Sequence, residues 1–217
     1  LTELIHRLVM QTKQCHTTIS LPSLRIDAYA KDYMTDLENE RKAGLTLAPE
    51  AGTQRLRDVI NKNVTEQNLM ESVGDAFASG WDRVKLYFMT GLPTETEEDV
   101  LGIADLARKV TEVYRATPRE QRSKKRLTVT VSTSVFVPKP FTPFQWCPQD
   151  TLDRVEEKQA LLRKALKGVP GVIYNWHDGK LSRLEAVIAR GDRRVGKVIY
   201  RAWQLGARFD GWSDQFK

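Results

Sequence analysis

The chain has 217 residues, 41% hydrophobic and 29% charged, with a formal charge of +6 and a sequence pI near 9.3. It reads as an ordinary soluble globular chain, long enough to bury a sizeable core. No apolar run approaches the roughly 20 residues of a membrane span, and no signal peptide is visible. The two cysteines, Cys15 and Cys147, exclude a disulfide framework and a CxxC pair, and point to a reducing, cytosolic compartment.

Leu1, Leu4, Ile5, Leu8 and Val9 recur at helical spacing. A helix already amphipathic at a first residue that is not Met suggests a piece of a longer chain. Thr17 to Asp27, TTISLPSLRID, reads as a strand with a polar end, and a polar helical stretch follows to about Lys42. Gly44 to Glu50, GLTLAPE, is a second strand. The next two segments predict helical turns, with Leu56, Val59 and Ile60, then Leu69, Val73, Ala76 and Phe77, facing inward. Thr65 is the expected N-cap there and Gly80 the expected stop. Arg83 to Met89 is a third strand, Val84, Leu86 and Phe88 alternating with Lys85, Tyr87 and Met89.

GLPTETEED then turns the chain. Thr94 and Glu97 have capping-box spacing ahead of a helix whose inner face is Val100, Ile103, Ala104, Ala107 and Val110. The densest basic run, Arg119 to Arg126 (REQRSKKR), reads as a solvated loop before a strand. A polyanionic partner such as RNA is the sharper reading of the positive charge. Leu127 to Pro138 is a fourth strand, ended by a cluster of prolines.

Strands alternating with helices predict right-handed βαβ units and a mainly parallel sheet. Four strands do not close a barrel. The expected fold is therefore α/β, a partial TIM-like (β/α) barrel over residues 1–149. A mostly helical C-terminal extension is expected over 150–217, with helices broken near Gly168 and Gly191 and an extended piece at GVIYNWHDG.

Parallel sheets bind ligands at the C-terminal ends of their strands. The residues at those ends are Arg25 and Asp27, Glu50, Gly91-Leu92-Pro93, and Pro138. Glu50 is either an N-cap for the next helix or an acceptor for both hydroxyls of a ribose. Gly52 would let backbone approach such a ligand closely. Lys62 is either a helix-end lysine favoured by the dipole or the partner of an anionic group.

APEAGTQRLRDVINKNVTEQNL, RVKLYFMTGLPTETEEDV and SVFVPKPFTPFQW, in this order and spacing, resemble the radical S-adenosylmethionine superfamily. More narrowly, the chain is similar to members that carry a cobalamin-binding-like region ahead of the radical domain. The resemblance implies that Glu50 contacts ribose at the end of the family barrel's fourth strand and that Lys62 faces the methionyl carboxylate. It implies that Gly91, Leu92 and Pro93 line the adenine pocket and that Phe136 and Val137 offer adenine-contacting backbone. Arg25 and Asp27 would face cofactor or substrate. The implied cofactors are S-adenosylmethionine and a [4Fe–4S] cluster, with cobalamin as a further option in an intact parent.

The family's CxxxCxxC cluster loop and its glycine-rich second-strand motif are absent from this sequence. The expectation is a fragment holding strands 3 to 6 of the family barrel, inactive alone, from an enzyme that cleaves S-adenosylmethionine reductively to a 5′-deoxyadenosyl radical. No catalytic residue and no metal ligand is assigned. The alternatives are a methylthiotransferase-like modifier of tRNA or ribosomal protein, a non-catalytic nucleotide-binding module, and a scaffold. Expected partners are a small-molecule or macromolecular substrate, RNA as a weaker possibility, and a second copy through an open sheet edge. No membrane association is expected.

Overall fold

A computed structural model describes residues 44–207, together with the isolated helical positions Arg7 and Gln11. Leu1, Leu4, Ile5, Leu8 and Val9 of the expected first helix, and the expected first strand with Arg25 and Asp27, lie outside the described residues. Four strands, β1 (Leu45–Glu50), β2 (Arg83–Thr90), β3 (Thr128–Val135) and β4 (Val172–Trp176), form one sheet in the order β1-β2-β3-β4. All three pairings are parallel. Between and after the strands run α1 (Gln54–Val59), α2 (Glu66–Ala78), α3 (Glu97–Ala116), α4 (Leu152–Leu166), α5 (Gly179–Arg190) and α6 (Val195–Gln204). The fold is α/β, a partial TIM-like arrangement with a helical C-terminus.

Side-chain period decides which face of the sheet is dry. Val84, Leu86 and Phe88 of β2 and Val129 and Val131 of β3 join Leu45 and Leu47 in the main core. Against them lie Leu69, Val73, Ala76 and Phe77 of α2 and Val100, Ile103, Ala104, Ala107 and Val110 of α3, as the helical spacing predicts. Helices α2, α3 and α4 pack side by side. Leu162 and Leu166 of α4 close the layer. The opposite strand face carries Thr46, Lys85, Tyr87, Thr130, Ser132 and Asn175, with Lys85 paired to Thr130 and Tyr87 to Ser132 in register. Strands of parallel sheets are usually apolar on both faces; here one face is polar.

Caps account for the helix starts. Thr65 and Asn68 form a reciprocal capping box on α2, and Gly80 follows the helix at φ 80°. The α3 box is formed by Thr96 and Asp99, two residues beyond the expected Thr94 and Glu97, because Thr94 is used in the turn at φ 65°. Val59 is 38% exposed rather than inward; α1 ends there, and only Leu56 and Arg57 of that helix are buried. The parallel sheet also runs across residue 150, since β4 pairs with β3 along its whole length.

Candidate functional site at the strand ends

Three neighbouring parallel strands end at one edge of the sheet. Glu50 terminates β1, Gly91 follows β2, and Phe136 and Val137 follow β3. At about 4.8 Å per strand, these ends lie within about 10 Å of one another. Phe136 N–H donates to Thr90 O at 2.8 Å, which joins two of the ends directly. Beneath them Ala51, Leu56, Leu92 and Phe136 make a second, small apolar cluster, backed by Ile60, Met89, Phe144 and Cys147.

The backbone at Glu50 is unusual. Between Leu47 and Glu50 the pairing of β1 with β2 slips, so that three steps on β1 match two on β2, from Leu86 to Phe88. Glu50 itself has φ 69°, a left-handed conformation that non-glycine residues seldom adopt. Bulges and strained residues of this kind re-aim side chains at ligand sites. The Glu50 carboxylate receives the Lys62 ammonium at 3.3 Å, and both side chains are about a third exposed. Such a pair contributes only about 0–1 kcal/mol, so it is easily opened.

Each of the other predicted residues has a defined place. Leu92 and Phe136 are buried, and Pro93 and Val137 are half-buried. Gly91 is required, because it has φ +82° and a Cβ there would meet Asp150 Oδ2 at 2.8 Å. Gly52 is also required, but not for a ligand: a Cβ there would fall on the backbone of α3, 2.5 Å from Ile103 N and 2.8 Å from the Gly102 carbonyl carbon. The turn after β1 is thus pressed onto α3, and this packing alone accounts for the glycine at position 52.

Two polar groups that hold this mouth were missed in the sequence. Asp99 is 2% exposed and accepts bonds from Thr53, Arg55 and both the N–H and hydroxyl of Thr96. Burial alone would raise its pKa, but these donors outweigh it and hold the carboxyl down at about 2. The unfolded reference is 3.8, so the interaction is fully present above about pH 4 and is lost as pH falls toward 2. Acid titration of stability is expected to show a loss of about 2 kcal/mol across that window, and Asp99→Asn should flatten it. An unchanged slope in that variant would remove Asp99 from the account.

The second group is a half-buried triad. Lys158 of α4 bonds Glu95 at 2.7 Å and Asp150 at 2.6 Å, and Gly91 N–H donates to Glu95 at 2.9 Å. Burial pushes the Glu95 carboxyl above its usual range despite those donors. Burial pulls Lys158 down, but its bonds to Asp150 and Glu95 more than reverse that, and the ammonium stays charged. Arg57, 1% exposed, donates to Ala51 O at 3.0 Å and fixes the carbonyl just past Glu50. Thr96 and Asp99 have capping-box spacing, but nothing in the spacing announces the bonds of Asp99 to Thr53 and Arg55 or the contacts of Arg57 and Lys158. Among the described residues no cluster of His, Cys, Asp and Glu is arranged to hold a metal ion, and no helix is long and apolar enough to cross a membrane.

A parallel sheet with helices packed on one face and polar groups at the strand C-termini is the arrangement of a partial barrel-type α/β domain. The profile of the Radical SAM superfamily matches residues 1–107, close to half of the chain. It is similar to "Uncharacterized protein MJ0966" of Methanocaldococcus jannaschii, 33% identical over 181 residues, which are 83% of this chain and 37% of that protein. The chain therefore spans little more than a third of that relative's length.

Proposed function

We propose that this chain forms the adenosyl-binding and substrate-facing wall of a radical S-adenosylmethionine enzyme of reducing compartments. The observation that carries the reading is Glu50, carried by a bulge and a left-handed backbone at the mouth of the sheet. Its carboxylate has lone pairs beyond the one Lys62 engages, enough to accept both hydroxyls of a ribose. Lys62, once released, is a cation for the methionyl carboxylate. Gly91, Leu92 and Pro93, with the backbone of Phe136 and Val137, offer a flat wall for adenine. The polar strand face with Lys85, Tyr87 and Thr130 is available to a substrate.

The residues do not supply an iron–sulfur site. The sequence has two cysteines, and Cys147 packs at the small apolar cluster under the strand ends. Three thiolates are needed for such a cluster with one open iron. We therefore assign cluster binding to polypeptide outside this sequence and expect this chain alone to be inactive in reductive cleavage. Its own work is binding, orientation and exclusion of water.

Calorimetric titration of the 217-residue chain with S-adenosylmethionine tests this. Bonds to a charged acceptor contribute about 1.5–3 kcal/mol, so Glu50→Ala is expected to weaken binding about ten-fold or more. Equal affinity for the two proteins would remove the ribose assignment.

A further inference from the structure

At the opposite end of the sheet, Thr111, Tyr114, Arg115, Arg122, Lys125, Arg126, Leu127, Pro170 and Gly171 line a pocket of about 230 Å³. It sits where the Arg119 to Arg126 loop meets the starts of β3 and β4. The eight residues of β3 place it about 25 Å from the Phe136 end. At about 30 Å³ per water, the pocket has room for several waters.

The basic loop over this pocket is a fixed structure. Tyr114 packs edge-on against Phe77 in the core, with centroids 5.1 Å apart. Its hydroxyl donates to the carbonyls of Lys125 at 3.1 Å and Ser123 at 3.3 Å. Ser123 Oγ donates to Asp82 Oδ2 at 2.6 Å and accepts from Lys125 N–H at 3.1 Å. Arg122 donates to Tyr114 O at 3.1 Å, and its guanidinium lies 5.2 Å from that ring's centroid.

The remaining cations have no such employment. Among the described residues, Arg115, Lys125 and Arg126 make no side-chain ion pair, while nine other basic side chains do. The pocket lining contains four cations and no carboxylate. The C-terminal dipole of α3 contributes about half a negative charge nearby, too little to balance them. Exposed cations without counter-charges, carried by a fixed loop around a concave space, match the phosphate oxygens of a ligand.

We infer that this pocket binds phosphate groups, with Arg115, Lys125 and Arg126 as the direct contacts and Arg122 and Tyr114 holding the loop in place. The phosphates belong either to a nucleic-acid backbone or to a small phosphoester, and both present the same oxyanions.

Two titrations of the 217-residue chain at low salt distinguish these sources. Pyrophosphate is titrated while the melting temperature is followed. A fluorescein-labelled single-stranded RNA dodecamer is titrated while its anisotropy is followed. Lys125→Ala/Arg126→Ala is expected to weaken binding at least ten-fold for whichever probe binds, with its unliganded melting temperature unchanged. If that variant does not melt cooperatively, Arg115→Gln replaces it, with at least a three-fold loss expected. The control Arg183→Ala/Lys197→Ala removes two exposed cations on α5 and α6 and should leave binding intact. A response to pyrophosphate alone identifies a small phosphoester, one to RNA alone identifies a polynucleotide, and a response to both supports the shared oxyanion site. No response to either probe, or an equal loss in the control pair, overturns the inference.

Discussion

Gly52→Ala is expected to be among the most damaging single-atom changes this chain can suffer. The new methyl group would press on the Asp99 carbonyl oxygen, Ile103 N and the Gly102 carbonyl carbon, all backbone atoms of α3. A side chain can rotate away from an intruder, but a helix backbone moves only as a unit. Ordinary overpacking costs about 1–3 kcal/mol, and this case belongs at or beyond the upper end. The displaced turn also carries Thr53 and Arg55, whose bonds hold Asp99. Urea unfolding should show a loss of about 3 kcal/mol or more, a large share of a typical domain's 5–15 kcal/mol. Gly102→Ala is the milder companion, since its Cβ would meet Gly52 O at 2.9 Å and alanine recovers about 1 kcal/mol of helix propensity. A Gly52→Ala protein within about 1 kcal/mol of wild type would contradict the close approach of turn and helix.

Lys158→Ala is the second large effect. It would leave Glu95, whose side chain is 3% exposed, without its cation. Removing one member of a buried pair costs about 3–5 kcal/mol, most of it the burden of the stranded charge. Lys158 and Asp150 retain some solvent contact, at 15% and 23% exposure, so the lower end is expected. Glu95→Gln in the same protein removes that charge and should restore most of the loss. The sign of the pH effect follows. Glu95 already has a raised pKa, and without Lys158 it rises further, so the single variant should gain stability as pH falls from 7 toward 5. A loss equal in single and double variants, and flat with pH, would show that Lys158 acts only through packing.

Local chemistry carried much of the fold into the sequence. The α2 and α3 inner faces are legible because helical period alone selects Leu69, Val73 and Phe77, or Ile103, Ala107 and Val110. The strand ends were legible because Glu50, Gly91 and the prolines after Phe136 interrupt clear alternation. The bonds of Asp99 to Thr53 and Arg55 and of Lys158 to Glu95 were not, because they join residues far apart in sequence whose types look like ordinary helix surface. Arg55 to Asp99 spans 44 positions. The bulge before Glu50 was hidden for a related reason: it is a property of register against β2, and β1 alone keeps its alternating burial. The glycine at position 52 was legible as special, but its neighbour α3 was not, since a missing Cβ does not name what fills the space. Thr94 had the right chemistry for a cap and lost the role to Thr96, two residues on.

The most direct measurement concerns the sugar. S-adenosylhomocysteine and its 2′,3′-dideoxy analogue are titrated against the wild-type chain and Glu50→Ala. If the carboxylate accepts the ribose hydroxyls, the wild type should prefer the parent ligand about ten-fold, as bonds to a charged acceptor imply. The alanine variant should bind the two ligands alike. Equal discrimination by both proteins would contradict a ribose held by Glu50 at the mouth of the sheet.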